Sequence, residues 1–480
     1  MRKLVLLSAL LAGACSMNPK LERPPLAVAS TFPTAGPAEP ASAAALDWRD
    51  MFGDLRLQRL IAAALENNRD LRIATLNVEA ARAQFRVQRA SQLPAIEATG
   101  GYTRQRVPSG VAAAGVGGGG QSPSDPARPS GFEFGQFAAG LNLTRFEIDL
   151  FGRQRSLSQA AFERYLATGE GRRAAQIALI GAVADAYLNE RLAQEQKHLT
   201  ERTLADWQVS LDLTRKLRAA RQNSGLEVVE AEGLVRQAEA NLALQDRVLR
   251  QASNALGLLL GGPAPADLPA PLSLRQQPIR TQLPAGLPSD LLVNRPDIRQ
   301  AEHELTAANA DIGAARAAFF PRLSLTAAFG FSSLAFETLF QGGSRNWSFS
   351  PQIAQPIFQG GQLRGELRLA EIRKSIAIAQ YERAIQMAFR EVADGLAGRA
   401  TFAGQVAAQR EAAEAAERRV RLSNLRYRAG VNSRLELLDA QRSAYAAEQT
   451  LLGVLRDELS SAAALYRALG GGTAAPKDRP

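Results

Sequence analysis

Cysteine and histidine, the side chains best suited to nucleophilic or metal chemistry, are almost absent from this chain of 480 residues. Cys15 is the single cysteine, and the two histidines are His198 and His303. A lone cysteine cannot form an intrachain disulfide, and neither histidine has a second ligand at metal-site spacing. We therefore expect no metal site and a fold that is held together by packing alone.

Cys15 follows a segment with the three-part layout of a secretory signal. Residues 1–3 are Met-Arg-Lys, residues 4–11 are an apolar run broken only by Ser8, and residues 12–14 are Ala-Gly-Ala. The run is too short to cross a bilayer, so residues 1–14 are predicted to be a signal peptide that is cleaved before Cys15. Cys15 is then either an unmodified first residue of the mature chain or an attachment point.

The charge and the motifs argue against nucleic-acid binding and against catalysis. The net charge is +10, but the arginines are scattered along helical segments rather than collected in a basic block. We find no phosphate-binding loop, nucleophile elbow or dinucleotide fingerprint, and the glycine run at 117–120 lacks the Lys-Ser/Thr of a phosphate cradle. We expect no enzyme activity, no cofactor and no nucleic-acid partner.

The sequence contains two copies of one plan. Residues 67–94 and 294–321 align at a constant offset, which pairs Asp70 with Asp297 and Pro94 with Pro321. Each copy reads as a helix that a proline ends, followed by alternating apolar and polar residues. The alternation predicts four strands of about ten residues, arranged as two hairpins at about 95–148 and about 322–357.

Four such strands cannot form a closed membrane structure by themselves. Each predicted strand has one small polar face, which suits either a half-buried sheet or a membrane barrel. An open sheet leaves unpaired edges, which lipid does not tolerate, whereas three chains of four strands would close a barrel.

The rest of the chain is predicted to be long helices. Residues 153–217 contain no proline, so a helix of roughly 65 residues could extend for about 95 Å, and Gly169 and Gly171 mark the places where it could break. Two later helices carry apolar residues every seven positions, which indicates coiled-coil packing. These positions are Val228, Val235, Leu242, Leu249 and Leu256 in one helix, and Leu438, Tyr445, Leu452, Leu459 and Tyr466 in the other.

The predicted domain plan follows from these elements. An extended N-terminal segment (15–50, Pro- and Ala-rich at 24–40) precedes the first repeat at 51–260. A Pro-rich linker at 261–288 leads to the second repeat at 289–470, and residues 471–480 are expected to be disordered.

Several stretches together resemble the outer-membrane factor family, the TolC-like exit ducts of tripartite efflux pumps, and in particular its OprM-like lipoprotein branch. The resemblance covers nearly the whole chain. The stretches include FEIDLFGRQRSL at 146–157, IGAARAAFFPRLSLTA at 312–327 and RYRAGVNSRLELLDAQRS at 426–443.

The resemblance implies a mainly helical fold: a homotrimer with a 12-strand barrel, four strands from each chain, joined to a long periplasmic coiled-coil tunnel. It implies a passive outer-membrane channel for drugs or other toxic molecules in a Gram-negative bacterium. The implied partners are a periplasmic adaptor, an inner-membrane transporter of the resistance-nodulation-division type and outer-membrane lipid. A duct for type I protein secretion and a coiled-coil scaffold without a pore are the alternatives.

The resemblance also assigns candidate residues. Leu435 and Asp439, one helical turn apart, would form an apolar ring and a carboxylate ring at a periplasmic gate. Arg426 and Tyr427 match residues that tie neighbouring helices shut. In the first repeat the corresponding stretch is 217–232, where Arg218 stands for Tyr427, so we expect the two tips to differ.

For Cys15, the lipoprotein branch implies diacylation after cleavage. Ala14 before the cysteine fits this signal, whereas Ala12 stands where leucine is usual. Ala12-Gly13-Ala14 also fits ordinary cleavage, which would leave Cys15 unacylated.

Overall fold

The computed structural model describes residues 17–22, 24, 28, 29, 32, 46–107, 132–284, 290–431 and 433–472. The predicted signal peptide, Cys15, most of the 24–40 segment, most of the first strand-connecting loop and the tail from 473 lie outside these residues. The chain divides into two compact units, of which the first comprises residues 1–22, 81–164 and 305–376 and the second comprises the remainder. Each unit takes segments from both predicted repeats, so the repeat boundaries stay predictions.

The first unit contains a four-stranded antiparallel sheet. Its strands are β1 (Ile96–Val107), β2 (Phe132–Ile148), β3 (Arg322–Ser333) and β4 (Arg345–Ala354), in the order β1-β2-β3-β4. The two predicted hairpins are therefore joined into one sheet by the pairing of β2 with β3. β2, at 17 residues, is much longer than predicted, and its register with β3 shifts between Leu143 and Phe146.

The two faces of this sheet differ as the alternation predicts. On one face, registered rows of apolar side chains cross the strands, such as Leu141 beside Phe329 and Phe329 beside Trp347. These side chains are 52%, 51% and 75% exposed, which is far from the burial of a soluble core. The other face is polar, and on it Asn142 Nδ2 donates to Thr99 Oγ1 at 2.7 Å.

The helices of the described residues account for most of the chain. In chain order, the helices before the linker are α1 (Trp48–Met51), α2 (Leu55–Asn67), α3 (Arg69–Ala90), α4 (Arg153–Ala219) and α5 (Gly225–Leu260). Those after it are α6 (Asp290–Asn294), α7 (Pro296–Ala317), α8 (Gln362–Arg428) and α9 (Arg434–Ala468). No helix within the described ranges is both long enough and apolar enough to cross a bilayer.

The predicted internal repeat is confirmed element by element. Helices α3 and α7 have 22 residues each, and α4 and α8 have 67 residues each. Both long helices remain unbroken at every position, including Gly169 and Gly171. A 67-residue helix extends for about 100 Å.

Equivalent glycines end the last helix of each repeat. Gly261 follows α5 with φ +74°, and Gly470 follows α9 with φ +86°. A Cβ atom would meet the carbonyl oxygen of Asn67 at the first site and that of Asn294 at the second. The same turn and the same close approach thus recur, which explains why neither position carries a side chain.

The second unit has an apolar core with buried tyrosines. Tyr187 is fully buried and donates a hydrogen bond of 2.6 Å to the Asp54 carboxylate. Tyr466 lies edge-on to Phe52, and its hydroxyl donates to the Leu46 carbonyl at 2.6 Å. The heptad positions Leu452, Leu459 and Tyr466 of α9 are buried, whereas Leu242 and Leu249 of α5 remain half-buried in a single chain.

Candidate functional site

Two helical hairpins of the second unit, α4–α5 and α8–α9, end in tips with the same backbone construction. At the first tip the amide of Gln222 donates to the Leu217 carbonyl at 2.9 Å. At the second tip the amide of Val431 donates to the Arg426 carbonyl, also at 2.9 Å. This pattern is the hydrogen bonding of a Schellman turn. The two tips therefore share one turn conformation, which supports the alignment of residues 217–232 with the second tip.

The turn residues nevertheless differ in chemistry. Gly430 has φ +71°, and Arg221 at the equivalent position has φ +57°, the single positive φ of a non-glycine residue among those described. An L-residue pays a steric penalty of about 1–2 kcal/mol in this conformation, which glycine avoids. The first tip thus stores backbone strain that the second tip lacks.

Each tip then starts its second helix with a serine cap. Ser224 Oγ accepts from the Glu227 amide at 3.2 Å, and Ser433 Oγ accepts from the Glu436 amide at 3.3 Å. Both are the serine and glutamate of a capping box. These caps fix where α5 and α9 begin, and so they fix which face each later residue occupies.

Leu435 lies in the first turn of α9 and is 59% exposed. Leu226, at the equivalent position of α5, is 67% exposed. An exposed leucine so close to a capped helix start contributes nothing to the core of its own chain. Its apolar side chain is available to line an aqueous opening or to meet another chain.

Asp439 does not stand alone on the next turn. Its carboxylate accepts from Arg419 of α8 at 2.8 Å and from Arg442 at 2.9 Å. Hydrogen bonds from Arg419 and then Arg442 lower the pKa of Asp439. The resemblance implied a carboxylate ring, and the structure adds two guanidinium groups to each carboxylate.

Arg426 and Tyr427 lie at the end of α8 with different surroundings. Arg426 is exposed, and its guanidinium has no carboxylate within ion-pair distance in the described part of the chain. Tyr427 is half-buried beneath the guanidinium of Arg434, which lies 5.2 Å from the ring centroid. Tyr427 thus contacts a residue that the sequence did not indicate, and its role in tying helices together stays a prediction.

Three arginines that contact the candidate residues of the second tip were not indicated by the sequence analysis. Arg442 could have been found, because it lies three residues after Asp439 and so on the same helical face. Arg419 could have been inferred from the turn at Gly430, because Arg419 and Asp439 lie at similar sequence distances before and after that turn, on antiparallel helices. Arg434 gave no signal, because besides the Tyr427 ring its partner is distant in the sequence: its Nη2 donates to the Ser210 carbonyl of α4 at 3.1 Å.

The described residues nearest to Cys15 are held against the first unit. Asn18 Nδ2 donates to Gln159 Oε1 at 2.8 Å, and Ser156 Oγ donates to Asn18 Oδ1 at 2.8 Å. The Pro19 carbonyl accepts from Asn309 at 2.8 Å. Hydrogen bonds of Asn18 thus fix the position of the chain three residues after Cys15.

A small sheet with an exposed apolar face, carried by a chain with two long helical hairpins, defines a membrane channel protein of mainly helical fold. The sequence profile of the family described as Outer membrane efflux protein matches residues 60–262 and 287–471. The chain belongs to this family. The predicted fold class, outer-membrane location and efflux-channel function are confirmed by this membership.

Named relatives are similar to this chain over nearly its full length. The chain is 44% identical to the toluene efflux pump outer membrane protein TtgC of Pseudomonas putida, over 97% of this chain and 94% of that protein. It is also 44% identical to the outer membrane protein OprJ of Pseudomonas aeruginosa, over 97% and 95%. The open-state structure of the Neisseria gonorrhoeae MtrE outer membrane channel superposes with a TM-score of 0.85 at 40% identity, covering 95% of this chain and 98% of that one.

Proposed function

We propose that three copies of this chain form the outer-membrane exit duct of a tripartite efflux pump. The observation that carries the proposal is the sheet, in which β1 and β4 have unpaired edges and the apolar face is exposed. Lipid accepts neither open edges nor polar backbone, so the edge strands need partners. Pairing of β4 in one copy with β1 in the next satisfies both edges and leaves the apolar face towards lipid.

The cargo that we propose is small, largely apolar toxic molecules such as solvents and antibiotics. Relatives that match the full chain are named as parts of toluene, solvent and antibiotic pumps. A duct conducts passively and needs no catalytic group, so selection of cargo belongs to its partners. We propose a periplasmic adaptor and an inner-membrane transporter of the resistance-nodulation-division type as those partners.

The gate in this proposal is the second tip. Three copies of Leu435 would form an apolar constriction that disfavours water. One turn further, each chain would contribute Asp439 together with Arg419 and Arg442, so that each carboxylate comes with two positive charges. The ring that these three side chains form would carry a net positive charge, which favours the passage of anions. A ring of carboxylates alone would attract cations.

The test is the conductance of the purified full-length protein in planar bilayers. We expect a severalfold rise for the double variant Leu435→Ala with Asp439→Ala, because it removes both the apolar ring and the Arg419 contact. The matched control is Leu226→Ala with Glu230→Ala, which changes the equivalent positions of the first tip. Unchanged conductance in the Leu435 and Asp439 variant would refute this gate.

An efflux assay distinguishes the duct from the alternatives. A strain that lacks its own duct should recover solvent and antibiotic tolerance when it expresses this chain beside a suitable pump and adaptor. Recovery of protein export without recovery of tolerance would favour the secretion duct. A soluble monomer after extraction would favour the scaffold without a pore.

We further propose that Cys15 is diacylated. The hydrogen bonds of Asn18 and Pro19 support this proposal, because they fix the chain three and four residues after Cys15 to helices of the unit that contains the sheet. Acyl chains on Cys15 would then add anchoring to a protein that is already in the membrane. The intact mass of the mature N-terminal peptide tests the proposal, and a free thiol on Cys15 would contradict it.

A further inference from the structure

The apolar face of the sheet carries charge at one end only. At the paired positions of this face, the charged residues are Arg104 and Arg106 in β1, Glu133 in β2 and Arg345 in β4. All four lie at the end of the strands that is remote from the helices, here called the outer end, where β1 ends and β2 and β4 begin. The paired positions of the same face nearer the helices are uncharged.

A band of aromatic side chains lies against this charged end. The rings of Tyr102 and Phe137 are 4.6 Å apart between their centroids. The connection from β3 to β4 folds two further rings onto the face, with Phe336 at 5.5 Å from Phe137 and Phe340 at 5.5 Å from Phe331. Sheets that cross a membrane carry such rings as a girdle where lipid meets water. The arginines therefore lie at the level of lipid head groups.

Tyr102 shows on which side of the girdle the head groups lie. Its hydroxyl lies over Gly135, where a Cβ atom would be 2.5 Å from it. Gly135 is the registered partner of Arg104, so the tyrosine leans along the sheet towards the outer end. A tyrosine at a membrane boundary keeps its ring in apolar surroundings and its hydroxyl in the polar layer. The polar layer is therefore on the side of Arg104.

The arginines at the outer end remain available to an anion from outside the chain. Arg104 Nη2 pairs with Glu133 at 3.1 Å, but the Arg104 side chain is still 69% exposed. Arg345 is exposed and forms no ion pair within the described ranges. Three arginines against one glutamate leave a net charge of +2 on this part of the face. Guanidinium groups bind phosphate oxygens through paired N–H donors, so the charge and the donor geometry both suit phosphate.

The proposed ring of three copies brings these arginines together. In one chain, Arg104 and Arg106 lie in β1 and Arg345 lies in β4, at opposite edges of the sheet. Pairing of β4 with β1 of the next copy makes these strands neighbours, with the same face of both towards lipid. Each seam between two copies then has three arginines at its outer end.

We infer that each seam binds the phosphorylated head group of an outer-leaflet glycolipid, through Arg104 and Arg106 of one copy and Arg345 of the next. This inference rests on the proposed trimeric duct, in which the helices occupy the periplasmic side and the outer end of the sheet faces the outer leaflet. A lipid fits better than free phosphate, because the acyl chains cover Trp347 and Phe349, which are 75% and 61% exposed beside Arg345.

The experiment measures lipid binding to the purified full-length trimer by native mass spectrometry. The probe is lipid A with both phosphates, compared with the same lipid A without phosphates. We expect the trimer to bind the phosphorylated form severalfold more tightly. Arg104→Gln and Arg345→Gln should each lower this affinity about fivefold. The matched control is Arg236→Gln in α5, since Arg236 is also an exposed arginine with a single carboxylate, Glu239 at 2.7 Å, and this variant should bind as the wild type does.

Glu133→Gln supplies a readout that a purely structural role would not give. It removes the one negative charge of the patch and releases Arg104, so it should raise the affinity for phosphorylated lipid A severalfold. A structural ion pair between Arg104 and Glu133 would instead make this variant bind more weakly, and that result would overturn the site.

A double variant tests whether the arginines act at one seam. Arg104→Gln and Arg345→Gln together should weaken binding by less than the product of their separate effects, because both side chains contact one head group. Effects that multiply in full would place the two arginines in separate sites and overturn the seam.

The remaining outcomes separate the site from other ligands and from the duct itself. Equal binding of dephosphorylated lipid A would overturn the phosphate contact, and displacement of lipid A by inorganic phosphate would overturn the preference for lipid. Tighter binding of phosphatidylglycerol than of lipid A would overturn the glycolipid. A trimer that conducts in planar bilayers without preferring phosphorylated lipid A would refute the site and leave the duct intact. A soluble monomer would refute both the duct and the site.

Discussion

Asp439 keeps its charge because two guanidinium groups share its carboxylate. Its pKa is lowered, so the stabilisation from these contacts is fully present above the ordinary pKa of an aspartate. It is lost only as the pH falls through the lowered value. An isolated ring of like charges would behave in the opposite way, since mutual repulsion raises the pKa of neighbouring carboxylates.

A prediction about pH follows at the residue scale. Conductance of the wild-type channel should stay constant from about pH 7.5 down to about pH 5. This whole range lies above the ordinary aspartate pKa of about 3.9, and Asp439, whose pKa is lowered, stays ionised throughout it. Asp439→Asn should raise conductance at every pH in this range. His198→Gln, which replaces an exposed side chain away from the tip, is the control. A marked opening of the wild-type channel between pH 6 and pH 5 would mean that repulsion between neighbouring carboxylates raises the pKa of Asp439, against the lowering assigned here.

The residues at the tip show how far sequence reasoning reaches. The position of the turn and the shared face of Leu435 and Asp439 follow from local spacing, whereas the exposure of Leu435 was implied only by the family resemblance. The charge of the site did not follow, because it depends on Arg419, which is brought close only by the antiparallel hairpin. Arg434 was beyond reach for the same reason, since its partner Ser210 lies in the other repeat.

At the scale of elements, the turn of each hairpin sets the local stability of its tip. Gly430 occupies its positive φ without strain, and a Cβ atom there would meet open space. Any cost of a side chain at Gly430 therefore comes from the backbone alone. Arg221 already bears that cost at the equivalent turn.

Opposite substitutions at the two turns should therefore have opposite effects. Gly430→Ala should destabilise the second tip by about 1–2 kcal/mol, whereas Arg221→Gly should be neutral or stabilising at the first tip. Hydrogen exchange of the tip amides measures both changes, since tips open locally before the whole protein unfolds. Shifts in the same direction for both variants would contradict the assigned turn geometry.

The elements themselves were largely predictable, and the exceptions have physical causes. The absence of proline and the heptad spacing identified the long helices. The helix could have broken near Gly169 and Gly171, but it continues through both. At Gly171 it comes close to the Gln300 side chain, where a Cβ atom would be 3.1 Å from Oε1. The length of β2 could not be predicted, because its outer part pairs with β1 and lies beside a loop of low complexity.

At the scale of the whole molecule, the open sheet predicts contacts between copies. Cysteine pairs placed on the polar faces of the two edge strands, with Thr99→Cys in β1 and Ser348→Cys or Ser350→Cys in β4, should cross-link chains. The cross-linked series should end at three chains, because three sheets complete the ring. A pair between β2 and β3, Ala138→Cys with Ser332→Cys, is the control and should cross-link within one chain, because these residues are directly opposite each other. A series that continues beyond three would contradict the trimer.

The equal lengths of α4 and α8, 67 residues each, restrict how such a chain can evolve. One inserted residue advances everything beyond it by 1.5 Å and rotates it by about 100°. An insertion before Ser210 in α4 alone would carry that residue away from Arg434, and an insertion in α8 alone would displace the opposite partner. Tolerated insertions and deletions should therefore come as matched sets in both hairpins, in steps of seven residues. The two long helices therefore set one common length, and a change in the length of one requires the same change in the other.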